Sequence, residues 1–184
     1  DFMNEVELLF TDLFNYDRSK LYLNKDIILD VNQRYIISQA LKRRIKGEPI
    51  QYILGKSEFM GLEFKVNCDV FIPRPETEIL VETVIKLVSN INYQVSKINI
   101  LDLGTGSGCI AISLAKFLKN IRVIATDISS EAIEIAQHNA QLNNVNDKIR
   151  FIQSDLFPNS EFRIMSNVII ISNPPYIPKD EIQT

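Results

Sequence analysis

The chain has 184 residues, of which 46% are hydrophobic and 23% charged, with a net charge of −3. That length supports one good core, or one core with a small satellite domain, and the composition excludes the disordered class. No apolar run approaches the roughly 20 residues of a membrane helix, and a pI near 5.3 argues against extended contact with a phosphate backbone.

Residues 1 to about 57 step in threes and fours, through Val6, Leu8, Leu9, Leu13 and Phe14 and then Ile36, Ile37, Ala40, Leu41 and Ile45. That is the period of amphipathic helices, and Gly47 followed by Pro49 supplies a stop. A small helical domain is predicted over 1–57. Its one dense basic cluster, Lys42, Arg43, Arg44 and Lys46, reads as a solvated helix face. Residues 58–72, EFMGLEFKVNCDVFI, alternate and turn as a hairpin would. With the Ile72-Pro73-Arg74-Pro75 punctuation they make a hairpin and linker over 58–75. From Glu76 to Ser89 a helical pattern returns with an acidic first turn, where the helix dipole favours negative charge.

Beyond residue 98 the grammar changes to strand, turn and helix, repeated. INILDL (98–103) is followed by GTGSG and a helix over 108–118; RVIATD (122–127) by the helix SEAIEIAQHNAQLNN; IRFIQSD (149–155) is a third strand and NVIIISNPPY holds a fourth. Such crossovers imply an α/β fold with a doubly wound parallel sheet, which binds ligands outside the carboxyl ends of its strands. The third region, 76–184, is this Rossmann-like domain.

The unusual residues fall at those strand ends. Gly104, Thr105, Gly106, Ser107 and Gly108 follow the first strand, and alternating glycines let backbone approach a ligand at a helix N-terminus. Their spacing is G-x-G-x-G, which departs from the dinucleotide pattern G-x-G-x-x-G and fits the nucleoside turn of S-adenosylmethionine enzymes. Asp127 ends the second strand, 23 residues after Gly104. It is suited to accept both ribose hydroxyls, or to cap the next helix, a task that Ser129 or Ser130 could also fill. Asp155, Leu156 and Phe157 end the third strand, where polar groups meet an adenine edge and apolar side chains its face; a plain turn is the alternative.

Asn173-Pro174-Pro175-Tyr176 ends the fourth strand. Two prolines remove two backbone donors and leave carbonyls facing outward. The Asn173 oxygen and the Pro174 carbonyl then suit both hydrogens of a planar NH₂ group, with Tyr176 stacking on the flat substrate. Such nitrogens are weak nucleophiles, so a socket of this kind acts by positioning and electrostatics.

Other residues read blandly. Cys68 and Cys109 form neither a CxxC site nor a disulfide framework, which together with the lack of a signal-peptide pattern makes a reducing cytoplasm the default setting. His138 stands mid-helix without a ligand partner at metal spacing, so no metal is expected.

With these motifs the chain resembles the peptide-chain-release-factor glutamine methyltransferases, the HemK/PrmC family. GEPIQYILGKSEFMGLEF (47–64), FIPRPETEILVE (71–82), ILDLGTGSGCIAISLA (100–115), ATDIS, QSDLF and SNPPYIP look like that family's motifs in order. The resemblance implies a class I methyltransferase that moves a methyl group from S-adenosyl-L-methionine, leaving S-adenosyl-L-homocysteine, to the glutamine side chain of the Gly-Gly-Gln motif in class 1 release factors. It implies that the helical domain grips that protein, that Gly104 to Gly108, Asp127 and the Asp155–Leu156 region bind cofactor together with Asn173, and that Asn173, Pro174, Pro175 and Tyr176 hold the amide. Arg74, Glu76 and Thr77 match a motif bordering the cofactor cleft. An adenine amine in nucleic acid, or a ribosomal-protein glutamine, would fit the same socket; a nucleoside-sensing module would leave the tetrad idle. No direct nucleic-acid or membrane partner is expected. Family members continue past the tetrad, so this chain, which lacks an initial methionine, is expected to be a fragment with an incomplete sheet and an exposed edge strand.

Overall fold

The computed structural model describes residues 4–23, 27–90, 98–158 and 167–174. The chain divides into two compact units, residues 1–56 and 57–184. Among the described residues no helix is long and apolar enough to cross a membrane.

The first unit is helical: α1 (Glu5–Phe14), α2 (Arg18–Leu23), α3 (Val31–Ile45) and α4 (Ile50–Leu54). Capping boxes start two of them. Asn4 accepts from the Glu7 amide in α1, and Asp30 from the Gln33 amide in α3, while Glu7 and Gln33 reach back to the cap amides. Gly55 closes α4 in the left-handed region. Leu9, Ala40, Ile50 and Ile53 bury together as the core. The two arginines of the basic cluster are engaged locally, Arg44 Nε meeting Glu5 at 2.8 Å and Arg43 Nε meeting Glu48 at 2.7 Å, while Lys42 and Lys46 are exposed.

The second unit opens with a hairpin of β1 (Lys56–Phe59) and β2 (Leu62–Lys65). Met60 and Gly61, at φ 53 and 70, make the two-residue turn that suits strand twist. The hairpin therefore starts earlier and ends sooner than the alternation over 58–72 suggests. Past Lys65 the ladder yields to a local turn, in which the Asn67 side chain accepts from the Asp69 amide at 3.1 Å and donates to the Asp69 carboxylate at 2.6 Å. Helix α5 (Pro75–Asn90) begins with proline at its first position. Glu78 in its first turn accepts from the Met60 amide at 2.6 Å, tying helix to hairpin.

Four parallel strands follow: β3 (Ile98–Leu103), β4 (Ile121–Asp127), β5 (Ile149–Gln153) and β6 (Val168–Ser172), with α6 (Cys109–Phe117) after β3 and α7 (Ser130–Leu142) after β4. Their order is β5-β4-β3-β6. Alternate residues Ile100, Val123, Ala125 and Ile171 share one core with Val81 and Val84 of α5, Ala111 and Leu114 of α6, Ala140 of α7 and Phe59 and Phe64 of the hairpin. Leu101, Leu103 and Ile124, offset by one, cluster on the other face. Burial on both faces is why these strands read as continuous apolar runs. The chain moves outward from β3 to β5 and then returns to the far side of β3, so the strand order reverses between β3 and β6. A doubly wound sheet opens its ligand crevice at that reversal.

Candidate functional site

The turn after β3 is fastened from beneath. The Thr105 amide donates to the Thr126 carbonyl at 2.9 Å, and its buried hydroxyl donates to Asp102 Oδ2 at 2.7 Å. The Ser107 carbonyl accepts from Asn139 Nδ2 at 2.9 Å. Thr105 and Ser107, expected to face a cofactor, thus turn their side chains into the fold. The glycines face outward instead, since nothing lies within 4 Å of where a Cβ would stand on Gly104 or Gly106. Gly108 serves packing: at φ 82, an added Cβ would meet Ile112 Cδ1 at 2.8 Å and Ala136 Cβ at 3.1 Å. Asp102 beneath the turn is fully buried, and its Oδ1 lacks a hydrogen-bond partner among the described residues. Burial pushes its pKa up to about 6 against hydrogen bonds from the Thr105 hydroxyl and the Ala111 backbone, with a smaller rise from the nearby Asp127 charge.

Asp127 stands half-buried at the end of β4. Its Oδ2 accepts from the Gly106 amide at 2.9 Å and its Oδ1 from the Ser129 amide at 3.1 Å. Ser129 is the cap of α7, accepting from the Ala132 amide at 3.0 Å, so Asp127 is not needed there. Two backbone donors aim the carboxylate and leave further lone pairs on both oxygens. Ile128 beside it is 69% exposed and Leu156 58% exposed. Leu156 takes a left-handed φ of 62, and its carbonyl accepts from the Thr126 hydroxyl at 2.9 Å. Asp155 does not end the third strand. β5 stops at Gln153, the Ser154 hydroxyl bonds the Phe157 carbonyl at 3.1 Å, and Asp155 lies exposed in the resulting turn.

At the switch point, Ser172 of β6 pairs in register with Leu103 of β3, and its hydroxyl donates to the Leu103 carbonyl at 3.0 Å. Asn173 thereby emerges beside the glycine turn. Its Nδ2 donates to Thr77 Oγ1 at 2.8 Å. Thr77 is buried in the first turn of α5, while Arg74 and Glu76 are exposed. Pro174 is exposed; Pro175 and Tyr176 lie outside the described residues. Sequence placed Thr77 in a motif but gave no contact for it, because a bond spanning 96 positions leaves no local signal. Ile128 and Asn139 were also missed; only the position of Ile128 next to a strand-end acid hinted at a role.

Cys109 is buried, which pushes its thiol up to about 12 and removes it as a nucleophile. Cys68 and His138 are exposed on a turn and a helix. What the strand ends do combine is an accessible glycine backbone, an aimed carboxylate and exposed aliphatic side chains. Such residues fit a nucleoside: acid for ribose, aliphatic surface for the base.

A model of the Methyltransferase small domain matches residues 77–184, and one of the PrmC N-terminal domain matches residues 3–55. The chain is 47% identical over 164 residues to a release factor glutamine methyltransferase of Flavobacterium psychrophilum, covering 87% of this chain and 55% of that protein. To the protein of the same name from Chlorobaculum tepidum it is 38% identical over 182 residues, covering 97% of this chain and 62% of that one. It therefore spans less than two thirds of these curated relatives' length. Among solved structures, a SAM-dependent methyltransferase from Agrobacterium tumefaciens aligns with a TM-score of 0.52 at 24% identity, over 65% of this chain and 39% of that chain, which shows a shared fold. With a family model matching more than half of its length, and the PrmC N-terminal domain before it, the chain belongs to the methyltransferase small domain family in its HemK/PrmC branch.

Proposed function

We propose that the protein methylates the side-chain nitrogen of the glutamine in the Gly-Gly-Gln motif of class 1 release factors. The observation that carries this reading is the placement of Asn173 at the switch point, one strand from the glycine turn and with its amide nitrogen already engaged by Thr77. The names of the similar proteins from Flavobacterium psychrophilum and Chlorobaculum tepidum support the choice of substrate.

Gly104, Gly106, Asp127, Ile128 and Leu156 would hold S-adenosyl-L-methionine, with Asp127 on the ribose hydroxyls and the two aliphatic side chains against the base. When bound, that cofactor supplies an electrophilic methyl group on a sulfonium. Asn173 Oδ1 and the Pro174 carbonyl accept the two amide hydrogens of the glutamine, which fixes the plane of the amide and raises electron density on nitrogen. No base is needed before attack, because the proton becomes acidic only as the new bond forms. The helical domain, residues 1–57, grips the release factor; exposed Val31, Tyr35 and Ile45 give it apolar surface for that purpose. The setting is the cytoplasm, where release factors work.

The test is methyl incorporation from labelled cofactor by the complete gene product, offered release factor, ribosomal protein, DNA and RNA in parallel. Labelling of release factor that disappears when its Gly-Gly-Gln glutamine is replaced is the expected result. Preferential labelling of nucleic acid or ribosomal protein would overturn it.

A further inference from the structure

We infer that Thr126 is a positioning residue for the cofactor: its buried hydroxyl holds the Leu156 carbonyl and so keeps the Leu156 side chain on the wall that the base lies against. This rests on the reading of Leu156 as part of the base-binding surface.

Thr126 is the last residue but one of β4, paired in register with Leu103 of β3 and Ile152 of β5. Strand alternation puts its side chain in the layer of Ile124, which buries with Leu101, Leu103 and Ile152. It is fully buried there. A hydroxyl in an apolar layer is costly unless it is bonded, and valine would fill the same space without that demand. The bond it makes is to Leu156, where Thr126 Oγ1 meets the carbonyl oxygen at 2.9 Å. A carbonyl can only accept, so the hydroxyl is the donor and the direction of the bond is fixed.

Leu156 needs such a hold. Its φ of 62 lies in the left-handed region, which a leucine keeps only where its surroundings impose it. With the residue 58% exposed, packing does little of that work. Other bonds fix the ends of the turn: the Ser154 amide donates to the Asp127 carbonyl at 2.9 Å, Gln153 Nε2 to the Ile128 carbonyl at 3.1 Å, and the Ser154 hydroxyl to the Phe157 carbonyl at 3.1 Å. The Leu156 peptide between those ends is held by Thr126. The same residue accepts from the Thr105 amide through its own carbonyl, so it serves the glycine turn by backbone and the Leu156 turn by side chain. Substitution reaches only the second task. Without the hydroxyl, the Leu156 carbonyl in its exposed turn takes water instead, and the residue can leave the left-handed region. Fewer molecules then present the wall in its binding-ready form, and apparent affinity falls by that fraction.

The experiment is calorimetric titration of S-adenosyl-L-homocysteine, the product form of the cofactor, into the complete gene product, with steady-state methyl transfer to release factor alongside. Thr126→Val is expected to weaken binding about three- to tenfold, the scale of one net hydrogen bond, with KM for the cofactor rising in step and kcat held. Thr126→Ser should restore most of the affinity. Because the hydroxyl acts through Leu156, Thr126→Val should add little to the loss caused by Leu156→Ala. If Thr126→Val fails to fold, Thr126→Ala is read against Thr126→Ser with the same expectation. Wild-type affinity in the hydroxyl-less variant while Leu156→Ala binds weakly would overturn the role of Thr126 alone. Fully additive losses, or a fall in kcat with affinity held, would overturn it too. Wild-type affinity in Leu156→Ala would instead overturn the reading of Leu156 on which the inference rests.

Discussion

Between Asp102 and Gly108 the chain is fastened by Thr105 to both Thr126 and Asp102, by Gly106 to Asp127, by Ser107 to Asn139 and by the packing of Gly108 on Ile112 and Ala136. Across the switch point, the end of β6 is placed by its pairing with β3 and by side-chain bonds from Ser172 to Leu103 and from Asn173 to Thr77. The first half is built into the backbone and the helix packing, so it holds its shape before a ligand arrives. The second half is set by individual functional groups on neighbouring elements. Affinity should accordingly reside in one half and rate in the other, and substitutions should separate them.

The sharpest attempt to break this division is Asn173→Ala. Loss of one preorganised partner costs about 10²–10³ in turnover in well-studied sites, and a loss of that size with unchanged cofactor affinity is expected. Equal losses in single-turnover rate and calorimetric affinity would show that the halves are not separable. Asp127→Ala probes the other side. Removing charge-assisted hydrogen bonds should weaken cofactor binding by about 1.5–3 kcal/mol, with much less effect on the rate at saturating cofactor; a calorimetric affinity equal to wild type would take Asp127 off the ribose.

Gly108→Ala tests whether the turn depends on helix packing. A Cβ 3.1 Å from Ala136 at a left-handed φ should cost roughly 1–3 kcal/mol in chemical denaturation. An unaltered midpoint would mean that α6 and α7 move apart easily. The most modest effect concerns pH. Asp102 has its pKa raised to about 6 from an ordinary 3.8, so its contribution to stability is fully present below about 4 and is lost as pH rises through 6. Asp102→Asn removes that titration. Whatever fixed offset the amide introduces, the unfolding free energy of the variant should gain on wild type between pH 4 and 7, and parallel curves would show that the carboxyl titrates normally.

The strand ends were the legible part of the site. β3, β4 and the Gly104–Gly108 turn announce themselves because buried parallel strands are continuous apolar runs and positive φ demands glycine. Asn173 was legible because two prolines after an apolar run are a conspicuous stop. The third strand end was misread at Asp155 because SDLF carries no breaker; the Ser154 hydroxyl closes a local turn on the Phe157 carbonyl that ends the strand before it. Thr105 and Ser107 were read as ligand-facing because their motif is, although only Gly104 and Gly106 of that motif face outward. Thr77 and Asn139 were invisible as contacts for a common reason. Each joins elements far apart in the chain, and helical periodicity says which face is buried but not which carbonyl waits there.

Asn139 has a second office. Its side chain accepts from the Lys65 amide at 2.7 Å and donates to the Lys65 carbonyl at 3.0 Å, and Asn143, one helical turn on, donates to the Glu63 carbonyl at 2.9 Å. Residues 63 and 65 point their peptide groups to the same side of β2, the side away from β1. Two asparagines of α7 therefore stand in for a missing strand, with a side-chain amide reproducing the donor and acceptor of a peptide unit. A two-stranded ribbon would otherwise offer this rim to any extended segment, from a nascent chain or from a neighbouring copy. With that rim sealed by a helix, the ribbon cannot grow on the β2 side, and the same amide that steadies the Ser107 carbonyl closes this edge to pairing.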